Sequence, residues 1–239
     1  SYYAQILAFY ELEAAGKSDL AFWRRLCHRS RPRRVLEIGS GLGRVTRALA
    51  DESPSVAGID VSMEMLAIAR KAGFELAAAD MRRLPFVSDF DLVVAPNDPF
   101  SHLTSDADRL RALESVARAL RPGGRFVLDG LYFPSRRPVV RHRRIPVFLG
   151  ALTIRESWEP LEGRDLWKAR YVYCLQTGAE VREKSAAFVA KSWDPRRLGP
   201  LFESAGLRLE RLRGGLADEP VTAASRRVLA TARTADPVC

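Results

Sequence analysis

Three glycines at alternate positions make the segment 35–43, VLEIGSGLG, the first candidate for chemistry. Gly39, Gly41 and Gly43 follow a short apolar run and precede apolar residues at helical spacing, which predicts a strand that turns sharply into a helix. Glycine permits such a turn and lets a ligand approach bare backbone, so we expect a ligand that carries a nucleoside. The dinucleotide fingerprint would place a glycine where this chain has Arg44, which argues against NAD, and a tight loop without a ligand is the structural alternative.

Two carboxylates follow later strands of the same pattern. Asp60 ends the apolar run VAGID, about 20 residues after the first glycine, where an acid can accept hydrogen bonds from both ribose hydroxyls. Asp80, in AAADMR after the third strand, is placed to accept a bond from the exocyclic amine of an adenine. The loops after parallel strands open at one edge of the sheet, so the three regions are predicted to border one crevice.

Five segments between about residues 34 and 133 resemble successive motifs of the class I S-adenosylmethionine-dependent methyltransferases. They are VLEIGSGLGRVT, GIDVS, AADMRRLPF, FDLVVAPNDPFSHL and LRPGGRFVLDG. The resemblance implies S-adenosylmethionine as the methyl donor and S-adenosylhomocysteine as the product. The cofactor-binding residues that it implies are Glu37, Gly39 and Gly41 at the amino acid half, Asp60 at the ribose, Asp80 with the Met81 backbone at the adenine, and Ser40, Gly43, Val61, Met65, Pro96 and Asn97 around them.

The loop after the fourth predicted strand, APNDPFSH, lies where ligands bind in such folds. Its segment 97–100 resembles the Asn-Pro-Pro-Phe/Tyr loop of amino-group methyltransferases, with Asp98 in place of the first proline. The Asn, Phe and following His-Leu are more similar to bacterial small-molecule methyltransferases, including those that dimethylate amino sugars, which implies that His102 lies beside the acceptor. His102 could accept a proton near neutral pH, and Asp98 could orient it or bind a cationic acceptor. The alternatives are a structural histidine and an acid at a helix N-terminus.

Aromatic residues outside this core are candidates for closing the site. Tyr10 resembles the N-terminal tyrosine that such enzymes fold over the cofactor, and it is our third candidate catalytic residue; the alternative is an aromatic residue of the core. Four more aromatic residues, at strand spacing, predict either a substrate lid or a small core of their own: Trp158, Trp167, Tyr171 and Tyr173.

The elements that must position these residues predict an α/β fold. We expect a Rossmann-like, mostly parallel seven-stranded sheet with helices on both faces, and an antiparallel β insertion after the fifth strand. Arg121-Pro122-Gly123-Gly124 is expected to stop a helix and turn before the strand 125–129. A single methyltransferase domain, 1–239, would comprise an N-terminal helical cap (1–30), a cofactor-binding core (34–133), an antiparallel insertion or lid (140–190) and a C-terminal completion of the sheet (191–239).

Composition sets limits on location and ligands. The 239 residues are 47% hydrophobic, and no apolar run reaches the ~20 residues of a membrane-spanning helix. The chain starts with neither a basic leader nor an apolar stretch, so we expect no secretory signal. The three cysteines, Cys27, Cys174 and Cys239, are widely spaced and form no pair that could clasp zinc, which predicts a reduced, cytoplasmic protein without a metal.

The net charge of +9 leaves more than one class of partner open. The leading hypothesis is methyl transfer to a nitrogen or oxygen of a small molecule. An RNA or protein methyltransferase is the alternative, with the basic run 136–144 as its electrostatic footprint, although charge runs are usually solvated. A non-catalytic cofactor-binding or scaffold protein is a third possibility, and the oligomeric state is left open.

Overall fold

The computed structural model describes residues 2–15, 18–70, 74–163 and 165–234. The helices are α1 (Tyr2–Ala15), α2 (Leu20–Ser30), α3 (Arg44–Ala50), α4 (Met63–Ala69), α5 (Asp106–Ala119) and α6 (Pro195–Ser204), with 3-10 helices at Met81–Arg83 and Pro99–His102. The strands are β1 (Val35–Ile38), β2 (Val56–Asp60), β3 (Glu75–Ala78), β4 (Phe90–Ala95), β5 (Leu120–Leu131), β6 (Val139–Val147), β7 (Gly150–Pro160), β8 (Leu166–Thr177), β9 (Glu180–Lys191), β10 (Leu207–Arg213) and β11 (Arg227–Thr234).

The chain divides into two compact units. The core unit comprises Asp19–Ser135 and Lys191–Cys239, and the antiparallel unit comprises Ser1–Ser18 and Arg136–Ala190. Of the two N-terminal helices, α1 belongs to the antiparallel unit and α2 to the core unit. The single-domain interpretation and its internal boundaries stay predictions.

Seven strands of the core unit form one sheet, in the order β10-β11-β5-β4-β1-β2-β3. β1 pairs in parallel with β2 and β4, β2 with β3, and β4 with β5. Only β11 of these strands runs antiparallel to its neighbours, β5 and β10. β1 is buried along its whole length, which is typical of a parallel strand covered on both faces. The predicted Rossmann-like, mostly parallel seven-stranded sheet is confirmed.

Helices cover both faces of this sheet because alternate residues of each strand point to opposite sides. On β1, Val35 belongs to one apolar cluster and Leu36 to another. The cluster around Val35 includes Trp23 and Cys27 of α2 and Val45 and Leu49 of α3. The cluster around Leu36 includes Leu113 and Val116 of α5 and Leu198 and Phe202 of α6.

The junction of α5 and β5 differs from the prediction. The segment 121–124, expected to be a helix stop and turn, is part of β5, which begins directly after α5. The pairing with β4 slips there, because Phe90 faces Leu120 whereas Leu92 faces Arg125. A Cβ on Gly124 would lie 2.8 Å from the Arg121 carbonyl oxygen. The glycines therefore form a bulge inside the strand rather than a turn before it.

The antiparallel unit contains a sheet in the order β6-β7-β8-β9. β7 is antiparallel to both β6 and β8, which confirms the predicted antiparallel insertion after the fifth strand. Ile6 and Phe9 of α1 cluster with Leu152, Ile154 and Tyr173 of the sheet. Among the described residues, no helix has the length and apolar character needed to cross a membrane.

Candidate active site

The carboxyl ends of three neighbouring strands gather the predicted site residues. β1 lies between β4 and β2, and all three strands are parallel. The glycine turn follows β1, Asp60 ends β2, and the loop 96–102 follows β4. Because carboxyl ends of parallel strands share an edge, these regions lie close together, and a ligand-binding crevice between them stays a prediction.

The glycine turn has a backbone that other residues adopt only under strain. Gly39 and Gly41 have φ values of +71° and +52°. A Cβ on Gly39 would lie 2.6 Å from Cβ of Pro99, so this glycine lets the loops after β1 and β4 meet. Above Gly41 the nearest atoms to such a Cβ are the Met65 sulfur, at 3.4 Å, and a carboxylate oxygen of Asp60, at 4.0 Å. The Gly41 backbone thus carries no side chain at the position between Met65 and Asp60.

Glu37 is a buried carboxyl group immediately before this turn. Its Oε2 accepts a hydrogen bond from the Thr46 hydroxyl of α3. Burial raises the pKa of Glu37 to about 8, against the opposing effects of the Thr46 hydrogen bond and the positive charge of Arg44. At neutral pH the group is therefore largely protonated, and a cation placed beside it would favour its ionised form.

Asp60 holds the ends of β1 and β2 together through its carboxylate. Oδ2 accepts a bond from the Gly41 backbone N–H at 2.9 Å, and Oδ1 accepts one from the Ser62 N–H at 2.8 Å. A carboxylate has about four acceptor sites, so both oxygens can accept one bond more. Beside it, Val61 is 71% exposed and offers an apolar surface, whereas Met65 is buried.

The remaining residues of the predicted cofactor set lie around this centre. The Ser40 hydroxyl is buried and has no hydrogen-bond partner among the residues that the structure describes. Gly43 precedes α3 and faces Ala69 and Phe74, so its place is in the packing of the turn. Pro96 is buried after β4, and the Asn97 side chain is exposed.

Asp80 has a partner that the sequence analysis missed. Its carboxylate accepts bonds from the backbone N–H and the guanidinium of Arg82, which lowers its pKa although burial acts the other way. Arg82 also donates to Asp108 of α5. Met81, which lies between Asp80 and Arg82 in the sequence, begins the 3-10 helix and is half-buried. An adenine amine at Asp80 would share the carboxylate with Arg82.

The loop after β4 turns through two successive left-handed residues. Asn97 and Asp98 have φ values of +55° and +53°. The backbone N–H of Asn97 donates to Asp129 Oδ2 at 3.2 Å, and Pro99 then starts the short 3-10 helix that ends at His102. His102 is therefore the last residue of a 3-10 helix, and the alternative of a structural histidine stays open.

Asp98 points into the protein and not towards the helix that follows it. Its carboxylate accepts bonds from the Leu131 backbone N–H at 2.7 Å and from the Trp193 indole N–H at 3.1 Å. Burial raises its pKa to about 6, although the positive charge of Arg109 and these bonds act the other way. Asp98 is the N-cap residue of the 3-10 helix, as the alternative interpretation predicts, but its side chain makes no capping hydrogen bond there. Its contacts support a positioning role, and its catalytic role stays a prediction.

Arg109 of α5 completes this buried network, and the sequence analysis missed it as well. Its guanidinium lies 3.9 Å from the centre of the Trp193 ring and donates to the carbonyls of Leu103, Lys191 and Ser192. Leu103 directly follows His102, so Arg109 fixes the end of the loop that carries the histidine. Arg109 lies three residues before Ala112 and four before Leu113, on the apolar face of α5. A charged residue on that face was the signal that could have predicted a buried arginine.

The side chain of His102 reaches solvent, yet its pKa is lowered. Loss of hydration among the surrounding protein atoms is the main cause, and the negative charge of Asp60 acts in the opposite direction. The carboxylate of Asp60 is therefore close enough to His102 for its charge to act on the imidazole. With a lowered pKa the imidazole is neutral at pH 7, which is the form that accepts a proton.

The residues predicted to close the site lie in the antiparallel unit. Tyr10 is half-buried against the cluster of Ile6 and Phe9, which supports the alternative of a core aromatic residue, and its contact with the cofactor stays a prediction. Trp158 packs edge-on against Tyr171, which stacks on Tyr173, while Trp167 is buried. These aromatic residues thus contribute to a core of their own, and a lid function stays a prediction.

Several arginines of the basic run 136–144 bind other groups of the antiparallel unit. Arg136 donates to the carbonyls of Leu161 and Gly163. Arg141 pairs with Glu156 at 3.3 Å, and Arg143 pairs with the buried Glu13 at 2.6 Å. The run is therefore not a continuous set of arginines available to a phosphate backbone.

Comparison with known proteins identifies the domain. The family described as "Methyltransferase domain" matches residues 35–124. The dTDP-3-amino-3,6-dideoxy-alpha-D-glucopyranose N,N-dimethyltransferase of Streptomyces fradiae is 32% identical over 144 residues, which cover 56% of each chain. The match to the cypemycin N-terminal methyltransferase of Streptomyces sp. covers 41% of each chain. The chain thus spans about half the length of the curated relatives that it matches first.

Solved structures extend the similarity to nearly the whole chain. CalS10, an amino pentose methyltransferase from Micromonospora echinaspora solved with S-adenosylmethionine, superposes with a TM-score of 0.80 at 23% identity over 95% of this chain and 97% of that one. DesVI of Streptomyces venezuelae gives a TM-score of 0.82 at 22% identity over 98% of both chains. The resemblance seen in the sequence is thus confirmed for residues 35–124, which match the methyltransferase family, and the chain has the fold of these solved methyltransferase structures.

Proposed function

We propose that this chain is an enzyme that transfers the methyl group of S-adenosylmethionine to an amine nitrogen of a small molecule of the amino-sugar class. The observation that carries the proposal is the meeting, at one sheet edge, of a buried Glu37, a bare Gly41 backbone held by Asp60, and a neutral His102. Relatives whose names specify amino-sugar N-methylation support the acceptor class, although methylation of oxygen uses the same cofactor site.

The residues at this edge fit S-adenosylmethionine. Glu37 would face the ammonium group of the amino acid half, where a positive charge compensates for the burial of the carboxyl group. Asp60 would accept the ribose hydroxyls, since each of its oxygens has an acceptor site left. The exposed Val61 would contact the adenine ring. When bound, the cofactor supplies an electrophilic methyl carbon on a positively charged sulfur.

The chain's own contribution to the reaction is to orient the acceptor and remove its proton. An amine that gains a methyl group must lose a proton, and His102 has the neutral imidazole needed to take it. Arg109 and Asp98 hold the two ends of the loop that carries His102, so they would fix the direction of its ring. Few further catalytic groups are required, because alignment supplies much of the rate enhancement.

The other functions considered have less support. An RNA or protein acceptor would need the basic run 136–144, of which Arg136, Arg141 and Arg143 already bind groups of the antiparallel unit. A scaffold role would not require His102 and the complete set of acids. The cytoplasmic location expected from the cysteines stays a prediction.

The cofactor site is tested by calorimetric titration of the parent and of Asp60→Asn with S-adenosylhomocysteine. We expect binding to the parent, and an affinity lowered about a hundredfold in the variant, because two charge-assisted hydrogen bonds are weakened. Asp218→Asn is the matched control, since Asp218 pairs with Arg211 and Arg213 on β10. Equal affinity in parent and Asp60→Asn would refute the assigned site.

The acceptor class is tested by incubation with S-adenosylmethionine and a nucleotide-linked amino sugar, alongside the same sugar with a hydroxyl in place of the amine. We expect a mass increase of one or two methyl groups on the amine only. Methylation of the hydroxyl compound alone would overturn the nitrogen assignment, and methylation of neither by a protein that binds the cofactor would overturn the amino-sugar class.

A further inference from the structure

A second pocket opens at the opposite edge of the core sheet. It has a volume of about 320 Å³ and is bordered by residues 30–33, which precede β1, and by the first residues of β4 and β5. The candidate active site occupies the carboxyl ends of the same sheet. The charged residues that line the pocket are Arg31, Arg33, Asp91, Arg121 and Arg125.

Four arginines and one aspartate thus line the pocket, and the aspartate carboxylate is already engaged. Asp91 Oδ2 accepts the backbone N–H groups of Arg33 and Arg34 at 2.8 and 2.9 Å, and its Oδ1 accepts Nη1 of Arg121 at 2.9 Å. These bonds tie the segment before β1 to the first residues of β5. The pocket therefore keeps its shape while most of its positive charge lacks a counter-charge inside it.

Two of the arginines are available to a ligand. Arg125 pairs with Glu210 of β10 at 3.1 Å. Arg31 and Arg33 are exposed, and within the described part of the chain neither side chain has a recorded hydrogen bond or ion pair. Arg31 ends α2 in a left-handed conformation, with its N–H bonded to the Cys27 carbonyl, so its backbone is fixed at the rim.

We propose that this pocket binds a small phosphorylated molecule, with Arg31 and Arg33 contacting the phosphate. The planar guanidinium matches two phosphate oxygens at once, so two arginines at one rim can neutralise and orient a phosphate dianion. The volume lies at the lower end of small-molecule sites, which suits a phosphorylated metabolite. The proposal does not depend on the methyl-transfer function, because no residue is shared between the two sites.

The test is calorimetric titration with pyrophosphate at an ionic strength of about 0.15 M, where long-range attraction to the basic protein is screened. The variant is Arg31→Gln/Arg33→Gln, which removes no recorded contact within the fold. The control is Arg155→Gln/Arg170→Gln on exposed positions of β7 and β8, which removes the same charge elsewhere. Thermal unfolding of both double variants should match that of the parent.

We expect the parent and the control to bind pyrophosphate alike, and the pocket variant to bind at least about tenfold more weakly. If the double variant does not fold, each single variant should lose on the order of threefold in affinity. Absence of binding to the parent at millimolar concentration would overturn the proposal, as would equal weakening in the control. Displacement of pyrophosphate by S-adenosylhomocysteine would also overturn it, because the anion would then occupy the other edge.

Discussion

Binding of S-adenosylmethionine should release a proton from Glu37. With a pKa of about 8, the buried carboxyl group is about nine-tenths protonated at pH 7. The ammonium group of the bound cofactor would favour the carboxylate and return its pKa towards the ordinary value of 4.5. Up to about 0.9 protons should therefore leave the protein for each cofactor bound at pH 7, and fewer as the pH rises through 8.

Calorimetry in buffers of different ionisation enthalpy measures this number directly. The observed binding enthalpy should change linearly with the buffer's ionisation enthalpy, with a slope of about 0.9 protons for the parent and zero for Glu37→Gln. Glutamine keeps an acceptor for the Thr46 hydroxyl, so the variant is a fair control. If the parent releases no proton, or the variant releases as many, the placement of Glu37 beside the cofactor's amine is wrong.

The same group should make the unliganded protein less stable as the pH rises. Because the pKa of Glu37 is higher in the folded than in the unfolded chain, the folded state binds the extra proton between pH 4.5 and about 8, and stability falls across that window. At pH 7 the cost is on the order of 3 kcal/mol, which Glu37→Gln avoids. The variant should therefore unfold at a higher temperature than the parent at pH 8 and show little such advantage at pH 4.

Three further substitutions test separate parts of the site. Gly39→Ala should lower the free energy of unfolding in urea by about 2–4 kcal/mol, because its φ is +71° and its Cβ would collide with Pro99; an unchanged midpoint would contradict the described loop contact. His102→Asn should lower kcat on the order of 10²- to 10⁴-fold without weakening S-adenosylhomocysteine binding. The activity of the parent should fall as the pH drops through the lowered pKa of His102, below about 6.5. Equal turnover in parent and variant would exclude the proposed role of His102. Arg109→Met should cost about 3–5 kcal/mol of stability, since two buried carbonyls and one partly buried carbonyl lose their donor. A loss under 1 kcal/mol in the same assay would show that these carbonyls find other partners.

The sheet and its glycine turn could be predicted because their signals are local in the sequence. The run before Gly39 is buried on both sides, and the glycines that follow it have the positive φ values that the turn requires. Asp60 could be predicted from its place at the end of β2. In each case a residue's position along one strand was enough to fix its place at the sheet edge.

The contacts of the loop after β4 could not be predicted, because they join residues far apart in the chain. Asp98 meets Trp193 across a separation of 95 residues, and Arg109 meets the Lys191 carbonyl across 82. The same separation hid the inward contacts of the Asp98 carboxylate, although the place of Asp98 at a helix N-terminus was predicted. At Gly123 and Gly124 the local turn signal was misleading for a related reason, because pairing with β4 continued the strand.

The chain leaves the core sheet and returns to it at adjacent points. The backbone N–H of Trp193 donates to the Leu131 carbonyl at 2.8 Å, and the Asp98 carboxylate binds both the Leu131 N–H and the Trp193 indole. The intervening segment is thus joined through two neighbouring stems, both fixed by side chains of the core unit. Segments whose ends lie close together are those that proteins replace or lengthen most readily. The part of the chain between the stems can therefore change in sequence or length while the glycine turn and the loop of His102 remain anchored as they are.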